Sequence, residues 1–156
     1  MLTDAQLQTL AAALRAETDQ TVVAAMAIRN DVALRDWCNG ASAVDAWNTA
    51  MGSRNLFEAT DVTKFDAVNP GKRDSWRLLL EFAPIDFTRQ KMRKAVPDVW
   101  GTTDAVAVLQ ACTRKATRGE VCLGGSDATT NTVTAKKLNY SGSISLDDVS
   151  NALNRY

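Results

Sequence analysis

The chain has 156 residues, 46% of them hydrophobic and 23% charged, so it is long enough and apolar enough to bury a core of its own without metal or disulfide. Its 18 basic residues balance its 18 acidic ones, and it contains no histidine. That absence excludes Ser–His–Asp and Cys–His catalysis and removes the commonest neutral metal ligand, leaving only carboxylate, lysine or tyrosine chemistry.

Three cysteines, Cys38, Cys112 and Cys122, lack CxxC spacing and are odd in number, so neither a disulfide framework nor a zinc site is expected. They read as small apolar thiols kept reduced, which fits synthesis in a cytoplasm. No apolar run reaches the roughly 18 residues of a membrane span, and no basic stretch followed by an apolar one marks a secretory signal. The charge is uneven along the chain. Residues 1–70 hold five Lys/Arg and nine Asp/Glu, whereas residues 71–140 hold twelve and seven. Such a split suits acidic-to-basic assembly or one face near nucleic acid, unless folding interleaves the charges.

In chain order, Thr3 is placed to cap a first helix that carries Leu7, Leu10 and Leu14 and ends near Glu17–Thr18. Asp19 caps a second, from Gln20 to Asn30. A third starts at Asn30 or Asp31 and stops at Asn39-Gly40, residues that tolerate positive φ. AVDAW, residues 43–47, reads as a brief strand or a helical turn. Leu56, Phe57 and Ala59 suggest a short helix, and Asp61 caps another turn holding Val62 and Phe65.

Pro70-Gly71 marks a turn, and a strong helix follows from Lys72 to Phe82, closed by Pro84. Asp86 caps TRQKMRKAV, which Pro97 ends. A long helix is then expected from Thr103 to Thr117. After Gly124-Gly125 the period changes to two. Thr130, Thr132 and Thr134 alternate with Asn131, Val133 and Ala135, which predicts extended chain or an edge strand. Ser145 caps a last helix with Leu146, Val149 and Leu153 as its stripe. The expected fold is therefore mostly α: a helical bundle with an extended or β-hairpin-like segment near the C-terminus. The expected parts are a body at 1–123, an arm or hairpin at 124–144 and a terminal helix at 145–156, all within one domain.

Two groups of residues are candidates for contact. Arg89, Lys91, Arg93 and Lys94 place four positive charges within six residues and predict a basic helix face for phosphates or an acidic partner. The plainer reading is a solvated helix face. Thr130, Thr132, Thr134, Lys136, Lys137 and Tyr140 lie in a segment with few large apolar side chains, whose hydrogen-bonding partners are expected on another chain. Lysines on an edge strand also serve to block unwanted pairing. Of the four tryptophans, expected mainly as core, Trp100 is the one best placed for an interface. No acid/base pair, phosphate loop, cofactor motif or metal ligand set is found, so no catalytic residue is assigned and no enzyme is expected.

Several blocks carry a resemblance: LTDAQLQTLAAALRAETD, DAWNTAM, LFEATDVTKFDAVNPGKRDSWRLLLEFAPIDF, TRKATRGEVCLGG and YSGSISLDDVSNAL. Together they resemble a family of proteins of similar length encoded among the structural genes of tailed bacteriophages. The size and helical pattern are also similar to head-to-tail adaptor proteins. That resemblance implies a non-catalytic neck or connector subunit in the virion, assembled as a dodecameric ring between the portal protein and tail or nozzle proteins. It implies the 124–142 segment as a docking arm and the basic region as a lining for passing DNA. The alternatives are another virion component, in the tail or decorating the capsid, and a small DNA-binding regulator.

Overall fold

A computed structural model describes all 156 residues. Nine helices and four strands follow in the order α1 (Asp4–Ala16), α2 (Gln20–Ala27), α3 (Asp31–Asn39), β1 (Ala41–Trp47), α4 (Ser53–Glu58), α5 (Val62–Ala67), α6 (Pro70–Glu81), α7 (Gln90–Ala111), β2 (Thr113–Thr117), α8 (Arg118–Cys122), β3 (Gly125–Thr130), β4 (Val133–Leu138) and α9 (Leu146–Arg155). The mostly-α expectation is corrected. Helices hold 58% of the residues, but a four-stranded mixed sheet holds 17%, and the fold is α/β rather than a helical bundle.

The strand order is β2-β1-β4-β3. β1 and β4 run parallel, with Ala46 opposite Lys136. β3 and β4 form a hairpin over a two-residue turn in which Asn131 takes a φ of 54°. β1 and β2 run in opposite directions: Arg118 N donates to Gly40 O at one end, and Asn48 N donates to Cys112 O at the other.

The segment expected as an arm is thus part of the chain's own sheet. β4 lies between β1 and β3, so its backbone is paired on both sides. Only two inward positions, Val133 and Ala135, are needed to seat it, and both are buried while Thr134 between them is exposed. A polar strand folds against its own body when every second residue is enough to anchor it.

Three helix boundaries also move. The helix expected to run from Thr103 to Thr117 ends at Ala111, and 113–117 is strand. Arg114, Lys115 and Ala116 favour helix locally, but pairing with β1 and burial of Ala116 win. Pro97 does not end its helix. The helical run continues to Trp100 and breaks at Gly101, whose φ of 74° and ψ of 168° suit glycine alone. Burial of Val99 and Trp100 accompanies that extra turn, offsetting a proline cost of about 3 kcal/mol. Pro70 is the first residue of α6 and not a turn before it, capped by the Asn69 side chain, which accepts from Gly71 N.

The chain builds two compact units. The first comprises Met1–Val44, Lys115–Ser126 and Leu138–Tyr156; the second comprises Asp45–Arg114 and Asp127–Lys137. Each strand contributes residues to both.

In the first unit, Leu7, Leu10, Leu14, Val22, Leu34, Cys38, Ile144, Val149 and Leu153 share one core. Every helix in it begins at a side-chain cap: Thr3, Asp19, Asn30, Thr117 and Ser145. Two long-range polar clasps fix it. Asp148 Oδ1 accepts from Leu2 N at 2.8 Å, and the Asn39 amide bonds both the N–H and the C=O of Ile144 at 2.8 Å each. Gly119 permits the close approach of α3 and α8, since a Cβ there would stand 2.6 Å from Ile144 Cγ1 and 3.2 Å from Cys38 Cβ.

The second unit is built on larger side chains. Trp47, Trp76, Phe87 and Trp100 are buried with Val96, Leu109, Val133 and Ala135. Trp76 and Trp100 meet edge to face with centroids 5.5 Å apart, a favoured aromatic arrangement. The Trp100 indole N–H is buried without a hydrogen-bond partner.

Candidate partner-binding site

The sequence RLLLEF, residues 77–82, carries more apolar bulk than one helix face can bury. Trp76 points into the core of the second unit, and Leu79 and Leu80 are half-buried. Leu78 and Phe82, the residue that caps the end of α6, lie four residues apart and so on one side, and stay 54% and 72% exposed. Beyond α6, Ile85 is held by reciprocal backbone bonds to Met51, each 2.9 Å. The start of α7 then brings Met92 alongside.

These groups enclose a groove of about 590 Å³, with Leu78, Leu79, Phe82, Ile85 and Met92 as its apolar lining and Asp86, Arg89 and Lys91 among its polar residues. Isolated exposed apolar residues are ordinary; a gathered apolar hollow with exposed walls is the usual mark of a contact surface.

Its polar side is arranged by the turn before α7. Asp86 accepts from Thr88 N at 2.9 Å and Thr88 Oγ1 at 2.6 Å. It also pairs with Arg89 Nε at 3.2 Å. Burial alone would raise the Asp86 carboxyl, but the Thr88 hydroxyl and N–H, with Arg89, outweigh it and hold the carboxyl below its usual range. Asp86 therefore shapes the turn and does not cap α7 as expected. The N-cap is Arg89, whose side chain offers no acceptor, and the first turn has no acidic residue. Positive charge at this end of a helix opposes the macrodipole.

The four-cation helix face is corrected in one member. Arg93 is only 5% exposed. It donates to Thr130 Oγ1 at 3.0 Å, to Phe87 O at 2.8 Å and to Thr88 O at 2.7 Å, and its guanidinium lies 5.1 Å from the Trp47 ring centroid. Burial lowers its pKa, with the charge of Asp86 acting the other way. Arg93 is thus an internal tie between the turn, the hairpin and Trp47. Arg89, Lys91 and Lys94 remain exposed, and only the first two border the groove.

The hairpin residues are placed differently from one another. Thr130 is buried beneath Arg93. Thr132 is exposed at the turn, and the hydroxyl of Thr134 bonds that of Thr129 at 2.8 Å. Lys136 pairs with Asp127 at 3.0 Å, and Lys137 is exposed. Tyr140, in the first unit, donates to Ser143 O at 2.9 Å. Trp100 belongs to the core and not to a surface. The groove residues Leu78, Phe82, Ile85 and Met92 were missed because an apolar residue in a helix reads first as core. The readable signal was that Trp76, Leu78, Leu79, Leu80 and Phe82 spread around the helix.

A second hollow, of about 350 Å³ in the first unit, is charged and internally satisfied. There Asp19 Oδ2 accepts from Trp37 Nε1 at 3.1 Å, and Arg118 stacks 5.4 Å from the Trp37 ring centroid. The thiols of Cys38 and Cys112 are pushed up to about 12 by burial, with Cys122 adding to the effect at Cys38. Neither offers a thiolate near neutral pH. No group of three or more carboxylates and thiols is arranged to hold a metal ion. No helix is long and apolar enough to cross a membrane.

Fold and groove together define an α/β protein of two units with an open, partly apolar groove on the second. No family model, no curated protein and no solved structure matches the chain.

Proposed function

We propose that this chain is a non-catalytic structural subunit of a tailed-phage virion, placed in the neck as a head–tail connector and working by assembly. The observation that carries the assembly reading is the apolar groove bounded by exposed Leu78 and Phe82. Apolar surface gathered in this way is stabilised when a neighbour covers it. The virion setting is supported by the sequence blocks from LTDAQLQTL to YSGSISLDDV and their order. The element that docks a portal or tail partner is the groove, because the hairpin is committed to the chain's own sheet. Ring closure rests on a separate head-to-tail contact between copies, repeated where its rotation permits. Portal and tail or nozzle proteins are the partners this reading names, and of the exposed cations Arg89, Lys91 and Lys94, the last lies off the groove and is the one left for passing DNA.

Quantitative mass spectrometry of purified virions tests the reading. A connector is present at about twelve copies per particle if it closes a ring of the adaptor type. Hundreds of copies would make it a decorating protein. Absence from virions, with salt-dependent DNA affinity in the isolated chain, would make it a regulator and sink the proposal.

A further inference from the structure

We propose that the groove seats an acidic amphipathic helix supplied by a different protein. Its apolar face would lie on Leu78, Phe82, Ile85 and Met92, and its carboxylates against Arg89 and Lys91. The inference rests on the assembly reading only in requiring a partner. The chemistry of that partner comes from the groove itself.

Charge complementarity fixes the sign. The one carboxylate on the groove, Asp86, is already engaged by Thr88 and Arg89. Lys91 is exposed and has no carboxylate partner, and Arg89, which meets Asp86 through Nε, keeps 74% of its side chain exposed. Both cations stand at the N-terminal, positive end of α7, where the first turn carries no acidic side chain and the cap residue offers no acceptor. Anionic groups from outside relieve that accumulation, and cationic ones worsen it.

The shape of the groove argues for a helix. Its walls are side chains of α6, of the connection at 82–89 and of the start of α7, and the Ile85 backbone in that connection is already paired with Met51, so no open strand edge is offered. An element that satisfies its own backbone and presents apolar residues at i, i+3, i+4 and i+7 fits the ridge made by Leu78 and Phe82.

Neither α9 nor the Ile28–Val32 stretch of a second copy supplies this element. α9 has two acidic residues in its first turn and an apolar stripe, but Val149, Ala152 and Leu153 are buried in the first unit and Asp148 is bonded to Leu2 N. The exposed aliphatics Ile28 and Val32 flank Arg29 and Asp31, which pair with each other at 3.3 Å and add no net negative charge.

The test uses the intact protein and a synthetic helical peptide of about sixteen residues, with leucine at i, i+3, i+4 and i+7 and glutamate beside them. A lysine-for-glutamate peptide, a scrambled peptide and decanoate serve as comparators. Binding is followed by fluorescence anisotropy and mapped by amide chemical shifts. The acidic peptide binds saturably, shifts resonances around Leu78, Phe82 and Lys91, and binds about tenfold or more tighter than the lysine peptide. Arg89→Glu with Lys91→Glu inverts that preference, and Phe82→Ser weakens both. Equal affinity for the two peptides, shifts centred elsewhere, or no binding at millimolar peptide overturns the proposal. So does dimerisation abolished by Phe82→Ser, which gives the groove to a second copy, or decanoate binding there as tightly as the peptide. Copy number in virions is measured separately, so failure of the peptide leaves the connector reading standing, and the reverse also holds.

Discussion

All five helices of the first unit open on a side-chain cap, whereas two of the four in the second, α4 and α7, begin at Gly52 and Arg89 without one. The first unit packs mainly leucines around a single tryptophan, Trp37, ties Leu2 to Asp148 and clasps Ile144 with Asn39. The second relies on Trp47, Trp76, Phe87 and Trp100, with the buried Arg93 tying irregular chain to them. Its α6 turns Trp76 inward and leaves Leu78 and Phe82 facing solvent. The hollow of the first unit gathers Asp19 and Arg118 around Trp37, while that of the second sets exposed Leu78 and Phe82 beside Arg89 and Lys91. The unit held by a few large anchors is the one whose outer helix face stays open at Leu78 and Phe82.

The contrast is broken first at its anchors. Trp76→Ala is expected to destabilise the protein by about 3–5 kcal/mol, through lost transfer energy and the cavity left behind, as read by denaturant unfolding. Arg93→Ala follows at about 2–3 kcal/mol, because Phe87 O and Thr88 O lose a charged donor inside the fold. The neighbouring exposed Lys94→Ala should stay within about 0.5 kcal/mol. Equal losses at positions 93 and 94 would contradict the internal role of Arg93. Gly101→Ala forces a side chain onto a φ of 74° and is expected to cost about 1–3 kcal/mol.

Asp148 sharpens the comparison from the side of the first unit. Burial would raise its carboxyl, but the Ser145 hydroxyl and the N–H groups of Leu2 and Ser145 outweigh that and hold it below the ordinary value of 3.8. Its contribution is therefore fully present above pH 3.8 and is lost as pH falls through the lower folded value. Asp148→Asn should cost about 1–2 kcal/mol at neutral pH and flatten the acid limb of the stability curve below that point, as followed by thermal unfolding across pH. The smallest effect is expected at the groove. Phe82→Ser should change stability by less than about 0.5 kcal/mol, since Phe82 is 72% exposed, while weakening the association proposed for the groove.

Much of the first unit was legible in the sequence because its signals are local. Thr3, Asp19, Asn30 and Ser145 mark their helices directly, and the leucines of α1 keep helical spacing. The sheet was not legible, because its pairings join residues far apart. TRKAT has the propensity of a helix end and becomes strand only through β1, and the hairpin reads as an arm until Val133 and Ala135 find a core. At the candidate site, Arg89 and Lys91 were readable as charge. Arg93 was not separable from them, because its burial depends on Phe87, Thr88 and Thr130, which sequence spacing does not bring together.

Hydroxyl-radical footprinting of Leu78 and Phe82, in the free protein and in purified particles, tests the central claim most directly. The account predicts rapid oxidation of both side chains in free solution and strong protection in the particle. Oxidation of both at the same rate in the two states would contradict it.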